Sequence, residues 1–488
     1  MHLAEMAALA ARRHGDRAAF VAGEQALTFA ELDRLSDEVA AGLAERGVGR
    51  GDVVALVLPT GLAYPLAYLG VAKLGAVTLG INTRLAPPEQ QHLLDLVEPA
   101  VVLTAYDATP AARTLRVDGL GVLAEVRIAG GTPPLGEALG PDDPVALVAT
   151  SGTTGRPKAA VFAGRQLDAI RSTDVGETWS GGGATLAGTS MAHLGFMTKL
   201  PGHLQKGSTS HLMPRWTPRD ALAMTGRHRL TTLSGVPTQL SLMLADPTLP
   251  DTDLSSVRMV LIGGGPATPA LVRAAREAIG APVCSRYSCT EAGIGLGTHP
   301  DDPDEDAETT VGRPQPGVEL AVRDADGRDV RDGGTGEVLL RSAAVTSGYW
   351  RNEEATAALF SADGFVRTGD HGWRDDRGRL HLVGRGVERY VRGGYNVFPV
   401  AVESALASAP GVRAVAVVPR SDDVWGEVGV AVVVPHDPDR PPTLDAICAH
   451  GAVSLARHEL PAELVLVDEL PLTAGDKLDR RSLRARWP

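Results

Sequence analysis

The chain reads as an α/β protein with a large N-terminal region and a small α+β domain behind it. Three observations carry that reading. Short β-branched runs alternate with Ala- and Leu-rich stretches of helical period through most of the chain. Glycine clusters mark joins from strand to helix, most clearly Gly263 to Gly265. After Gly384 to Gly386 the pattern restarts as a compact helix, strand, strand, helix, strand segment, long enough for a domain of its own. The expected division is 1–384 and 385–488.

In order, Thr28 to Ala44 has apolar positions three and four apart and predicts a helix. Val53 to Ala72 is uncharged over the length of a membrane span. Pro59, Gly61, Pro65 and Gly70 interrupt it, so it reads as a buried strand, a turn and a buried helix. Val145 to Val148 and Val257 to Ile262 read as strands. For the next helix Thr268 is the N-cap, Pro269 the first residue and Gly280 the stop. Leu271, Ala274, Ala275, Ala278 and Ile279 form its expected apolar face. Asp301 to Glu308 reads as a solvated acidic loop. Glu337 to Leu340 and Arg379 to Val383 read as strands. The last segment predicts a helix over Val400 to Ala409, strands over Arg413 to Val418 and Val428 to Val434, a helix over Leu444 to Arg457 and a strand over Leu464 to Val467.

Composition narrows the function. The 488 residues carry 47 Lys plus Arg against 59 Asp plus Glu, a formal charge of −12. A nucleic-acid binder needs a basic footprint, which this balance argues against. At 4% aromatic content, stacking platforms for single strands are not expected either. Cys284, Cys289 and Cys448 are odd in number and lack metal-ligand spacing, so neither a disulfide framework nor a zinc site is expected. With no secretory signal at the N-terminus, a cytoplasmic protein without stable membrane insertion is the expectation.

The strongest chemical signal is Thr150-Ser151-Gly152-Thr153-Thr154-Gly155-Arg156-Pro157-Lys158, directly after an apolar strand. Its glycines let the backbone approach a ligand closely. Its hydroxyls, backbone N–H groups and two cations suit a polyphosphate. The Gly-Lys-Ser/Thr ending of a Walker loop is absent. Tyr287-Ser288-Cys289-Thr290-Glu291 sets one carboxylate beside a hydroxyl, a donor set for a hard cation bridging phosphates. Arg367-Thr368-Gly369-Asp370 reads on its own as an ordinary turn, ending in an acceptor-only carboxylate. Two further segments stand out: Gly384-Arg385 followed by Arg392-Gly393-Gly394-Tyr395-Asn396-Val397-Phe398-Pro399, and Leu470 to Arg481 around Lys477.

Together, in this order and spacing, these segments resemble the adenylate-forming enzymes: acyl-CoA synthetases, peptide-synthetase adenylation domains and luciferases. The variants are most similar to bacterial fatty-acyl-CoA ligases. The resemblance implies that Thr150, Ser151, Gly152, Thr153, Thr154, Gly155 and Lys158 hold phosphate. Gly263, Gly264, Gly265, Tyr287 and Ser288 would flank the nucleotide. Thr290 would contact phosphate and Glu291 would hold Mg²⁺. Asp370 would take the ribose hydroxyls and Arg385 would contact the nucleotide at a hinge. Lys477 would serve adenylate formation, and Gly393 and Gly394 would line the pantetheine passage after a domain rotation.

The implied reaction joins a carboxylic acid to CoA through an acyl adenylate, with ATP, Mg²⁺ and CoA taking part. His193 to Met197, Val236 to Leu240 and Ile294 to Leu296 are the candidate acyl-pocket walls, with His193, Val236 and Gly295 at its core. Their apolar content points to a hydrophobic acid. A thioester-only enzyme fed with acyl adenylate and an enzyme that loads a carrier protein are the alternatives. A homodimer, a carrier protein and an upstream adenylating partner stay open as partners. Four residues depart from the family's pattern: Ala159 after Lys158, Val387 at the hinge, Ala401, and Asp476 before Lys477. The Asp476 carboxylate is expected to hold Lys477 away from ATP or weaken the local positive potential.

Overall fold

A computed structural model describes residues 1–106, 113–134, 138–150, 157–386 and 388–486. Among them lie five sheets. The six-stranded sheet runs Thr114–Arg116, Val101–Thr104, Val53–Val57, Val77–Gly80, Pro144–Thr150, Lys158–Ala163. It is parallel except for its last pair, a hairpin that sets Thr150 opposite Lys158. A second sheet begins with parallel strands Thr232–Gly235, Met259–Gly263 and Val283–Tyr287. A third pairs Ala18–Ala22 with Thr209–Leu212. The fourth is an antiparallel meander, Glu319–Arg323, Gly336–Arg341, Val366–Arg374, Leu380–Arg385. The fifth belongs to the C-terminal region, where Val412–Asp422 and Gly426–Pro435 form a long hairpin and Glu463–Leu466 pairs in parallel.

Helix placement follows burial. Thr28 caps the helix Phe29–Glu45, accepting from the Glu31 N–H while the Glu31 carboxylate takes the Thr28 N–H at 2.9 Å. The uncharged stretch resolves into the strand Val53–Val57 and the helix Ala63–Lys73, buried on all sides except at Lys73. A β-carbon on Gly70 would lie 2.5 Å from a Val39 methyl, so glycine here lets the two helices touch. Among the described residues no helix is long and apolar enough to cross a membrane.

Several expectations need correction. The helix Pro269–Ile279 is capped by Thr268 and ends at Gly280 as expected, but its buried face is Val272, Ala275 and Ile279. Ala274 and Ala278 are exposed, because the wheel turns them past the stripe that packs on the sheet. The acidic stretch is not a solvated loop throughout: Asp304–Thr309 is helical. Asp306 is fully buried among Arg313, Arg377 and Arg379, and Glu308 pairs with Arg273 and Arg276. Pairing with arginines from elsewhere in the chain makes burial of these carboxylates tolerable. The helix from Leu444 stops at Gly451, and the chain turns so that Leu455 packs back on the C-terminal core.

Candidate functional site

The C-terminal ends of strands are the usual location of ligands in open α/β sheets, and three strands carry candidate residues there. They end at Thr150, Gly263 and Tyr287. The Thr150 hydroxyl is buried with no partner among the described residues. A buried orphan hydroxyl calls for a ligand or water. Ser151, Gly152, Thr153, Thr154 and Gly155 lie outside the described residues, as does Val387. Lys158 begins the returning strand and places its ammonium 4.9 Å from the centre of the Tyr349 ring. Ala159 is a buried strand residue paired with Ala149, so its β-carbon meets no backbone conflict.

Tyr349 was not legible as a site residue. Its hydroxyl donates to Glu291 Oε1 at 2.7 Å, joining the candidate cation ligand to the candidate phosphate lysine through one ring. Burial, then the Glu291 charge, pushes the Tyr349 phenol well above its ordinary range, so it stays a donor. The Thr346 N–H holds the Glu291 carbonyl at 2.8 Å. No other hydrogen bond among the described residues reaches the Glu291 carboxylate. One oxygen is left for a cation beside Thr290, so the donor set fits Mg²⁺.

A second node forms at Asp370. Strand register sets it opposite Arg385. Arg385 Nε donates to Asp370 Oδ1 at 3.1 Å and the Tyr287 hydroxyl donates to Oδ2 at 2.8 Å. Each oxygen keeps a further lone pair, so a diol can still be accepted there. Cys289 is buried beside this node, and desolvation holds its thiol far above the ordinary value. It is a packed apolar side chain rather than a nucleophile.

The C-terminal segment brings Lys477 to Gly264. A β-carbon on Gly264 (φ +77°) would lie 3.7 Å from Lys477 Cε and 3.5 Å from Val236 Cγ1, so these three converge. Lys477 keeps an exposed side chain, yet the protein around it and then Arg385 lower its ammonium pKa against an opposing pull from Asp370. His193 is held down to about 4 by burial and then by Lys477, so its imidazole is neutral near pH 7. Its Nε2 lies 2.9 Å from Asn82 Nδ2, which also donates to the Ala474 carbonyl at 3.2 Å. Asp476 does not turn toward Lys477. Its carboxylate pairs with Arg84 at 2.6 Å.

Other candidates fall elsewhere. Gly393 and Gly394 turn a hairpin in which a β-carbon on Gly393 would meet Trp425, whereas Gly264 is approached by Lys477. A β-carbon on Gly295 would meet the Tyr287 carbonyl at 2.3 Å, so its lack of a side chain serves chain packing. The Ser288 hydroxyl donates to the Cys289 carbonyl. Asn82 and Arg84 were missed. Their only sequence signal is a polar trio, Asn82-Thr83-Arg84, after an apolar strand.

The family model described as AMP-binding enzyme matches residues 8–350, and that for the AMP-binding enzyme C-terminal domain matches 401–477. The indoleacetate–CoA ligase of Aromatoleum aromaticum is 33% identical over 94% of this chain and 93% of its own. The fatty acid–[acyl-carrier-protein] ligase ScoC of Streptomyces coeruleorubidus is 31% identical over 94% and 92%. ATP-bound MatB from Rhodopseudomonas palustris superposes with a TM-score of 0.89 at 28% identity, covering 100% of this chain and 99% of that one. The chain belongs to the AMP-binding enzymes, the adenylate-forming superfamily. Within it the chain is an acid–thiol ligase of the acyl-CoA ligase group.

Proposed function

We propose that the protein activates a hydrophobic carboxylic acid with ATP and transfers the acyl group to CoA. The acid's carboxylate oxygen attacks the α-phosphorus of ATP, and the bond to the β-phosphate oxygen breaks, releasing pyrophosphate. The thiol of CoA then attacks the acyl carbon, the bond to AMP breaks, and acyl-CoA and AMP leave. The observation that carries this reading is the seating of Lys477 beside Gly264, within the field of Asp370 and Arg385. An ammonium there offsets the negative charge of the carboxylate and the α-phosphate as they meet.

Around it, Thr150 and Lys158 take phosphate oxygens and Asp370 takes the ribose diol. Tyr287 orients Asp370 through the bond from its hydroxyl. Glu291 and Thr290 would hold Mg²⁺, which would offset triphosphate charge when bound. Val236 supplies apolar wall and His193 an uncharged one, which favours a substrate without a second charge. The position of Lys477 supports a complete ligase over one restricted to the thioester step. A carrier-protein thiol in place of CoA is the second reading, favoured by the similarity to a ligase of that name.

Purified protein is mixed with Mg²⁺, CoA and a panel of hydrophobic and dianionic acids, with ATP or with presynthesised acyl adenylates. Acyl-CoA and AMP are expected from ATP plus a hydrophobic acid. Lys477→Ala is expected to lose the ATP route by about a hundredfold or more, as removal of a charge-stabilising group does, while using acyl adenylate normally. Acyl-CoA from adenylates alone, or preference for dianionic acids, overturns the corresponding part of the reading.

A further inference from the structure

The segment that carries Lys477 is a tight turn. The Thr473 N–H donates to the Lys477 carbonyl at 2.6 Å and the Asp476 N–H donates to the Thr473 carbonyl at 3.0 Å. The Thr473 hydroxyl accepts from the Gly475 and Lys477 N–H groups at 3.3 Å each. Whatever holds residue 476 therefore holds the backbone of residue 477. Asp476 sits at φ +58°, in the left-handed region where a side chain costs backbone strain and glycine does not. Among the described residues its side chain forms an ion pair with Arg84, from the distant end of the sequence. Arg84 is itself oriented, because its N–H donates to Asn82 Oδ1 at 3.0 Å. The same Asn82 side chain grips the turn from its other end at the Ala474 carbonyl.

We propose that the Arg84–Asp476 pair, backed by Asn82, is a latch that positions Lys477 beside Gly264 for adenylate formation. The inference rests on the reaction proposed above. The pair exists only while the Lys477 turn lies against residues 82–84, so its free energy biases that arrangement and no other. Arg84 is 56% exposed, which keeps the pair weak enough to release. Asp476 thus supports Lys477 rather than drawing it off, the reverse of the expectation from sequence. Arg84 and Asp476 are positioning residues; neither is assigned a contact with the reacting atoms.

The test uses the full-length protein with Arg84→Met, Asp476→Asn and the charge exchange Arg84→Asp with Asp476→Arg. Each single variant is expected to slow acid-dependent pyrophosphate release by roughly two- to fivefold, the size an exposed pair can supply. Thioester formation from presynthesised acyl adenylate is expected to stay the same or rise. The exchange is expected to recover most of the loss, and salt to shrink the difference. Equal losses in both half-reactions, no loss in either, or no recovery by exchange overturns the latch. A readout independent of chemistry separates this failure from failure of the proposed reaction. Dyes on Glu24→Cys and Val453→Cys, in a Cys448→Ser background, report the distance between the two regions by energy transfer. Arg84→Met should broaden that distribution and the exchange should narrow it again. An unchanged distribution overturns the latch even if wild-type protein turns over no acid offered.

Discussion

Removing the Arg480 side chain is expected to loosen the C-terminal region by about 2–3 kcal/mol. Its guanidinium makes two parallel bonds of 2.5 Å to the Glu403 carboxylate, reaches the Val417 carbonyl at 3.3 Å and pairs with Glu388 at 3.1 Å. The Arg480 and Glu403 side chains are 18% and 10% exposed. Glu403 also accepts from the Val417 N–H at 2.6 Å. In Arg480→Met that single donor remains, and the Glu388 carboxyl, already raised by burial, loses the larger of the two cationic pulls that oppose the rise, leaving Arg385. Breaking one side of a buried pair costs roughly 3–5 kcal/mol, and partial exposure brings the figure to the lower end or just beneath it. The double variant Arg480→Met with Glu403→Gln removes both charges, keeps an acceptor for Val417 and should regain most of the loss. Hydrogen exchange over Val412–Asp422 reads the opening free energy of this strand directly. Because Arg480 follows the Lys477 turn closely, pyrophosphate release should fall more than thioester formation from acyl adenylate. A change under about 0.5 kcal/mol in the single variant, or a double variant no better than the single, refutes the reasoning.

Tyr349→Phe keeps the ring beside Lys158 but removes the donor to Glu291. Pyrophosphate release should fall by about tenfold and need more Mg²⁺ for half-saturation, in line with a hydrogen bond to a charged group. Tyr349→Ala should fall further through the lost cation–π contact, and a phenylalanine variant matching wild type counts against the role. For pH, Lys477 acts as its ammonium and its pKa is lowered, so activity is present below that pKa and lost as pH rises through it. At low ATP the adenylate-forming step should show an alkaline limb beneath the ordinary lysine value. Lys477→Arg, if active, should move that limb upward. His193, held down to about 4, should leave no limb between pH 6 and 7, and its removal should not change the profile's shape there.

Local elements were legible because their signals are local. Thr268, Pro269 and Gly280 bound their helix by capping chemistry that needs no tertiary partner. Val53–Val57 was visible as an apolar run flanked by charge and proline. The acidic helix Asp304–Thr309 was not legible, since the arginines that neutralise Asp306 and Glu308 come from distant segments. The inner face of Pro269–Ile279 was misread in part because helical period does not say which edge of an alanine-rich stripe meets the sheet.

The same division runs through the site. Residue type set apart the loop of Thr150 and Lys158, while Thr290, Glu291, Asp370 and Lys477 became candidates through the resemblance of the ordered motifs to the adenylate-forming enzymes. Only the tertiary structure decided which of them meet. The Tyr349 ring links Lys158 to Glu291, Tyr287 and Arg385 share Asp370, and Lys477 comes to rest by Gly264. It also reversed the meaning of Asp476: beside Lys477 in sequence its carboxylate looks competitive, yet a left-handed backbone aims it at Arg84. Chemistry is written in side chains one at a time, whereas electrostatic partnership depends on distances that close only when the chain has folded.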